Sequence, residues 1–209
     1  MKSLLKLLAM FAFIAFMVVA CSDDDDDNNT NPVAEMIKAD STLNLLTFNS
    51  NAGDTVKLFN LREGRVVSID SLMTTAWDVG FLRTTIFVNS PNKGVGQGGA
   101  FVLRNSIFDE VAEVPADSTF YDESGTIRAI PTGSGKGWYL YDMTKSEVTP
   151  KVGVVLMIRT ANGKYAKMEI LSYYQGFPNN IPSDVMQRVD KCYSFRYVYQ
   201  PNGTKSFKK

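Results

Sequence analysis

Two Asn-Gly dipeptides, each set between β-rich runs, constrain this chain more than any other feature. Asn162-Gly163 separates VGVVLMIRT from KYAKMEILSYY, and Asn202-Gly203 separates YSFRYVYQ from TKSFKK. Asn-Gly favours two-residue hairpin turns because both central residues must adopt positive φ. Two hairpins are therefore expected near the carboxyl end. Upstream, 43–48, 55–61, 65–69 and 77–88 are short apolar or alternating runs, broken by Asn51-Ala52-Gly53-Asp54 and Glu63-Gly64. Such punctuation reads as strands joined by turns. Helical candidates are few: 33–38, 106–114 and 183–190, the last with Ser183 as N-cap after Pro182. The expected fold class is mainly β, a single domain of antiparallel strands and hairpins with a few short helices.

The amino terminus is an address. Lys2 and Lys6 precede an uncharged apolar run of 14 residues, Leu7 to Ala20. A spanning helix needs roughly 20 such residues, so the run fits a signal-peptide core. It ends Val18-Val19-Ala20-Cys21, which resembles a bacterial lipobox, with Cys21 as the lipidated first residue of the mature protein. Asp23 to Asp27 and Asn28-Asn29-Thr30-Asn31-Pro32 follow. Five adjacent carboxylates repel one another, so this stretch reads as a solvated tether. It also resembles the surface-export signal of some Gram-negative lipoproteins. The expected organisation is signal peptide 1–20, lipidated cysteine and acidic tether 21–32, and a ligand-binding domain 33–209 held outside the cytoplasm.

Composition removes several function classes. The chain of 209 residues has 22 basic and 22 acidic side chains and no histidine. Charge balance argues against nucleic acid as a partner, because no basic excess neutralises phosphates. Without histidine there is no Ser-His-Asp or Cys-His catalysis and no imidazole-bound metal. Gly94, Gly96 and Gly99 formally satisfy GxGxxG, but the flanks VNSPNK and AFVLRN read as extended chain, whereas a dinucleotide site needs strand before and helix after. The segment reads as a flexible glycine loop. Gly133-Ser134-Gly135-Lys136-Gly137 lacks P-loop spacing. Asp109, Glu110, Asp122 and Glu123 read as solvated loop charges. The chain is expected to be a binding protein and not an enzyme. Cys192 is the only cysteine after the tether, so no internal disulfide forms and packing must supply the stability.

Attention then moves to soft ligands. Past the signal peptide the methionines are Met36, Met73, Met143, Met157, Met168 and Met186. Strand alternation puts Lys167 and Glu169 on one face of their run and Ala166, Met168 and Ile170 on the other, inward face. In 152–159, Val155, Met157 and Arg159 oppose Val154, Leu156 and Ile158. A lone methionine on an apolar strand face is ordinarily core filler.

The runs TAWDVGFLRTTIFVNS, GVGQGGA, GWYLYDMT, TPKVGVVLMIRTANGKYAKMEILSYYQG and YSFRYVYQPNGT, in that order over residues 40–209, resemble the HmuY-type haem-binding lipoproteins. The resemblance implies a mainly β protein displayed on the outer membrane at the cell surface. It also implies capture of haem as cargo and delivery to a TonB-dependent outer-membrane receptor. It implies axial thioether ligands, since this chain has no histidine: Met143 after the GWYLY run, and Met168 in the following hairpin with Met157 as fallback. Trp138, Tyr139, Tyr141, Tyr173 and Tyr174 would stack on porphyrin or fill the core, and Lys93, Lys136 and Lys145 would meet propionates or solvent. The alternative expectation is a surface lipoprotein of the same fold that binds no haem and serves in adhesion, glycan binding or as an accessory subunit.

Overall fold

The computed structural model describes residues 38–49, 51–125 and 127–208; the signal peptide, Cys21 and the acidic tether lie outside the described residues. Thirteen strands run in chain order: β1 (Lys38–Leu46), β2 (Phe48–Asn49), β3 (Gly53–Asp54), β4 (Lys57–Asn60), β5 (Arg65–Val67), β6 (Val79–Leu82), β7 (Thr85–Val88), β8 (Gly99–Arg104), β9 (Tyr139–Asp142), β10 (Glu147–Pro150), β11 (Val154–Arg159), β12 (Tyr165–Ser172) and β13 (Cys192–Gln200). They form a five-stranded sheet ordered β1-β13-β12-β11-β8, a four-stranded sheet ordered β5-β4-β6-β7, and the pairs β9-β10 and β2-β3. Every ladder is antiparallel. The mainly β expectation holds.

The main core lies between the two larger sheets. Phe59, Val79, Phe81, Ile86 and Val88 from the smaller sheet pack with Leu156, Ile158, Ala166, Met168, Ile170, Tyr193, Phe195 and Tyr197 from the larger. Phe81 and Phe195 stack with ring centroids 5.2 Å apart, and Phe59 meets Phe195 edge-on at the same separation. The far face of the five-stranded sheet is covered too. There Val155 and Met157 join Phe108, Val111, Val114 and Phe207. Covering both faces explains why β11 reads as an unbroken apolar run instead of an alternating one. Lys167 faces this second cluster, its ammonium donating to the carbonyls of Phe108 (2.6 Å) and Val111 (2.8 Å). That capture satisfies a buried charge which alternation alone would leave in solvent.

Several expectations of local structure need correction. The helical candidates 106–114 and 183–190 shrink to 3-10 turns at Phe108–Glu110 and Val185–Gln187, and the second is capped by Asp184, not Ser183. In the candidate 33–38, residue 38 already begins a strand and the remainder lies outside the described residues. Asn162-Gly163 does join two paired strands, β11 and β12, but through the five residues 160–164, closed by Thr160 N–H to Lys164 O, in which Gly163 alone has positive φ (75°). After Asn202-Gly203 the chain does not return along β13, because β1 and β12 occupy both edges of that strand. It pairs with residues 112–114 instead, through Val114 N–H to Lys205 O and Phe207 N–H to Ala112 O, and buries Phe207.

The glycine loop is also packed, not flexible. Asn89 is fully buried; its amide donates to the carbonyls of Thr74 and Trp77 (2.8 Å each) and its carbonyl oxygen accepts from the amides of Val95 and Gly96. A Cβ at Gly94 would lie 2.2 Å from the Asn89 side-chain oxygen, and one at Gly98 would lie 2.3 Å from its backbone oxygen. The glycines permit close approach around a buried asparagine. Nor is Glu123 a solvated charge: it is buried, accepts from Val88 N–H and pairs with Arg128 at 3.4 Å.

Candidate functional site

Strand alternation carries Met168 into the main core, where it is 0 % exposed and pairs across β11 with Leu156. Met157 is equally buried in the cluster on the opposite face. Met143, in contrast, is 83 % exposed. The structure therefore does not bring Met143 and Met168 together in open space. The inward face of β12 is filled by aromatic and aliphatic neighbours, which leaves no room there for a flat ligand.

Among the described residues Met73 is 65 % exposed, and the two most exposed methionines, Met143 and Met186, stand on built turns. Met143 begins the four-residue connection between β9 and β10, whose register pairs Glu147 with Asp142. The Asp142 carboxylate accepts from Thr144 N–H (2.8 Å), the Thr144 hydroxyl (2.7 Å) and Lys145 N–H (3.2 Å). These bonds, with the Thr144 hydroxyl foremost, hold the Asp142 carboxyl below its ordinary range. Ser146 completes the turn at φ 51°, an uncommon conformation for a residue with a side chain. Met186 is 89 % exposed and lies in the 3-10 turn between β12 and β13. Its own amide donates to Asp184 Oδ1 at 2.9 Å. An aspartate just upstream thus fixes each turn and leaves the methionine side chain in solvent.

These turns flank one cleft. It has a volume of about 630 Å³ and is lined by Thr144, Lys145 and Glu147 from one turn, and by Ile181, Val185 and Arg188 from the other segment. Met143 directly precedes Thr144, and Met186 directly follows Val185. Of the lining, Ile181 and exposed Val185 supply the apolar surface. The volume falls within the range of ligand-sized pockets, and exposed apolar surface with a few polar groups is their usual lining. Among the described residues no group of three or more His, Cys, Asp or Glu is arranged to hold a metal ion. The methionines adjoin the lining residues in sequence and are not themselves among them.

The other expected site residues fall elsewhere. Trp138, Tyr139, Tyr173 and Tyr174 are buried; Trp138 packs on Tyr173 and Tyr193, and its indole N–H donates to Thr84 O. The Tyr174 hydroxyl accepts from Val148 N–H (2.9 Å), and burial raises its phenol. Tyr141 is the one member of that aromatic group left half-exposed. Lys93 lies over the Phe87 ring and Lys136 is exposed, whereas Lys145 sits at the cleft, 4.0 Å from Asp142. Cys192 is buried, and burial raises its thiol, so it offers neither a ready thiolate nor an open coordination position. Met186 escaped the alternation argument because it lies on no strand. The signal that reveals it is local: Asp184 two residues upstream, as Asp142 stands two residues before Thr144.

No family model matches the chain, and no curated protein matches it. Solved structures do. The apo form of an HmuY analogue from Tannerella forsythia superposes with a TM-score of 0.55 at 14 % identity, covering 80 % of this chain and 98 % of that one. A candidate HmuY-like haem-binding protein from Bacteroides vulgatus matches with a TM-score of 0.46 at 12 % identity, over 78 % of this chain and 92 % of that one. A candidate lipoprotein from Bacteroides fragilis matches with a TM-score of 0.46 at 15 % identity, over 78 % and 89 %. The first of these likenesses shows the fold: it is that of the HmuY analogue.

Proposed function

We propose that this chain, which has the HmuY-type fold, is a lipid-anchored, surface-exposed protein that binds haem as cargo and passes it to a TonB-dependent outer-membrane receptor. The observation that carries the reading is the pair of solvent-facing methionines, Met143 and Met186, on the two turns that flank one cleft. In a chain with no histidine, two neutral thioethers are the donors suited to a haem iron. Met143 keeps the role the family resemblance implies. Met186 takes the second position in place of Met168, whose side chain belongs to the core. Ile181 and Val185 of the cleft lining suit a porphyrin face, and Lys145 suits a propionate. Lipidation of Cys21 and an acidic tether would hold the domain at the membrane surface.

Thioether sulfur favours ferrous over ferric iron, so reduced haem is expected to bind more tightly. The test is a visible absorption titration of residues 33–209 with haemin, before and after dithionite. A six-coordinate low-spin spectrum saturating at one haem per chain, lost in Met143→Ala and in Met186→Ala, supports the reading. A spectrum like that of free haem, unchanged by either substitution, contradicts it and moves the function to a surface lipoprotein of the same fold with another ligand.

A further inference from the structure

The two methionine-bearing turns are joined by a single side chain. Arg188 follows the 3-10 turn, and its side chain is only 4 % exposed despite its charge. Its guanidinium donates to the carbonyls of Lys145 (2.8 Å) and Ser146 (3.0 Å) on the β9–β10 turn. It also donates to the carbonyls of Pro182 and Ser183 (3.1 Å) on its own segment, and lies 3.5 Å from the Glu147 carboxylate. Among the described residues, the polar links from residues 176–190 to the β9–β10 turn all run through Arg188. The base of the segment is closed separately, by Gln175 N–H to Val189 O and Gly176 N–H to Asn44 Oδ1.

We propose that Arg188 is a latch that holds the β9–β10 turn and the 3-10 arm at a fixed separation, and so sets the spacing of Met143 and Met186. The chemistry suits the task. A planar guanidinium has five donors in a rigid fork and stays charged at any working pH, so one side chain can bind four carbonyls and a carboxylate at once. A lysine in its place has three donors around a point and no fork. The left-handed Ser146 turns its carbonyl to this fork, which gives the strained residue a function in the latch. Arg188 is therefore a positioning residue: it need not touch the ligand to decide whether one or both sulfurs reach it. This second consequence rests on the reading given under Proposed function; the latch itself does not.

The experiment uses residues 34–209, which form one compact unit, as wild type, Arg188→Leu and Arg188→Lys. Amide hydrogen exchange without ligand is expected to rise at least about tenfold in 143–147 and 184–190 of Arg188→Leu, with β11 to β13 unchanged and Arg188→Lys intermediate. Unchanged exchange in both segments overturns the latch. In the ferrous haem complex, wild type is expected to be six-coordinate, Arg188→Leu five-coordinate, and Arg188→Lys to recover part of the six-coordinate spectrum. A wild-type spectrum in Arg188→Leu, alongside faster exchange, overturns the claim that the latch sets ligand spacing. Absence of any haem complex in wild type overturns the haem reading alone, and exchange then decides the latch.

Discussion

Methionine occupies two regions of this molecule under opposite rules. In the five-stranded sheet, Met157 and Met168 are sealed on opposite faces, each by its own cluster of apolar neighbours. On the turns beside the cleft, Met143 and Met186 touch little, and aspartates fix only the backbone beneath them. The comparison teaches that period-two alternation identifies the residues that build the sheet, and for that reason selects against the residues free to bind. A ligand-bearing side chain on this fold is found by asking which apolar residues remain uncovered after the strands have paired.

The largest test of the comparison removes core aromatic packing. Phe195→Ala takes a ring from between Phe59, Phe81 and Tyr197, and is expected to lower stability by about 3–5 kcal/mol in urea denaturation. Met143→Ala and Met186→Ala, both on exposed turns, are expected to stay within about 0.5 kcal/mol of wild type. A loss of 2 kcal/mol in either would show that the arms are part of the core.

Next is the buried asparagine. Asn89→Ala leaves the Val95 and Gly96 amides and the Thr74 and Trp77 carbonyls without their partner, in a loop too tight to rearrange. A loss of about 3 kcal/mol is expected. A flexible loop, as the glycines alone suggest, would lose almost nothing.

A smaller effect concerns pH. Asp78 accepts from Leu61 N–H (2.8 Å) and Ala161 N–H (3.0 Å), tying the end of β4 to the β11–β12 turn. Burial pushes its carboxyl up to about 6. Because the folded-state value lies above the unfolded one, the folded state binds the extra proton, and stability falls as pH rises from about 4 to about 6. The difference is about 3 kcal/mol at most. Urea midpoints measured from pH 7 down to pH 5 should therefore rise, and Asp78→Asn should flatten that slope even though it costs an acceptor. A slope that Asp78→Asn leaves intact would assign it to another group, with Glu123, also raised by burial, first in line.

Much of the fold was legible because it rests on local rules. The β11–β12 turn follows from Asn162-Gly163, and the two faces of β12 follow from Ala166, Met168 and Ile170 set against Lys167 and Glu169. What was not legible depends on distant partners. Nothing near Asn202-Gly203 says that both edges of β13 are taken, so the direction of the final segment could not be read. The buried environment of Lys167 depends on carbonyls 56 and 59 residues away. The exposed Met186 was hidden for the complementary reason. Met186 has no periodic neighbours, and its segment meets the β9–β10 turn through Arg188, which reaches across 42 and 43 residues of chain.

The central claim is that binding belongs to the arms and packing to the sheet, and one paired measurement addresses it directly. Met168→Leu keeps the volume of a buried side chain and is expected to cost less than about 1.5 kcal/mol, while Met186→Leu changes only an exposed one. Both replace a thioether with a hydrocarbon. Titrated with haemin under dithionite, Met168→Leu is expected to give the wild-type six-coordinate spectrum and affinity. Met186→Leu is expected to lose the sixth ligand and bind at least about tenfold more weakly, a difference of about 1.4 kcal/mol. The reverse pattern, with coordination lost in Met168→Leu and kept in Met186→Leu, would contradict the account.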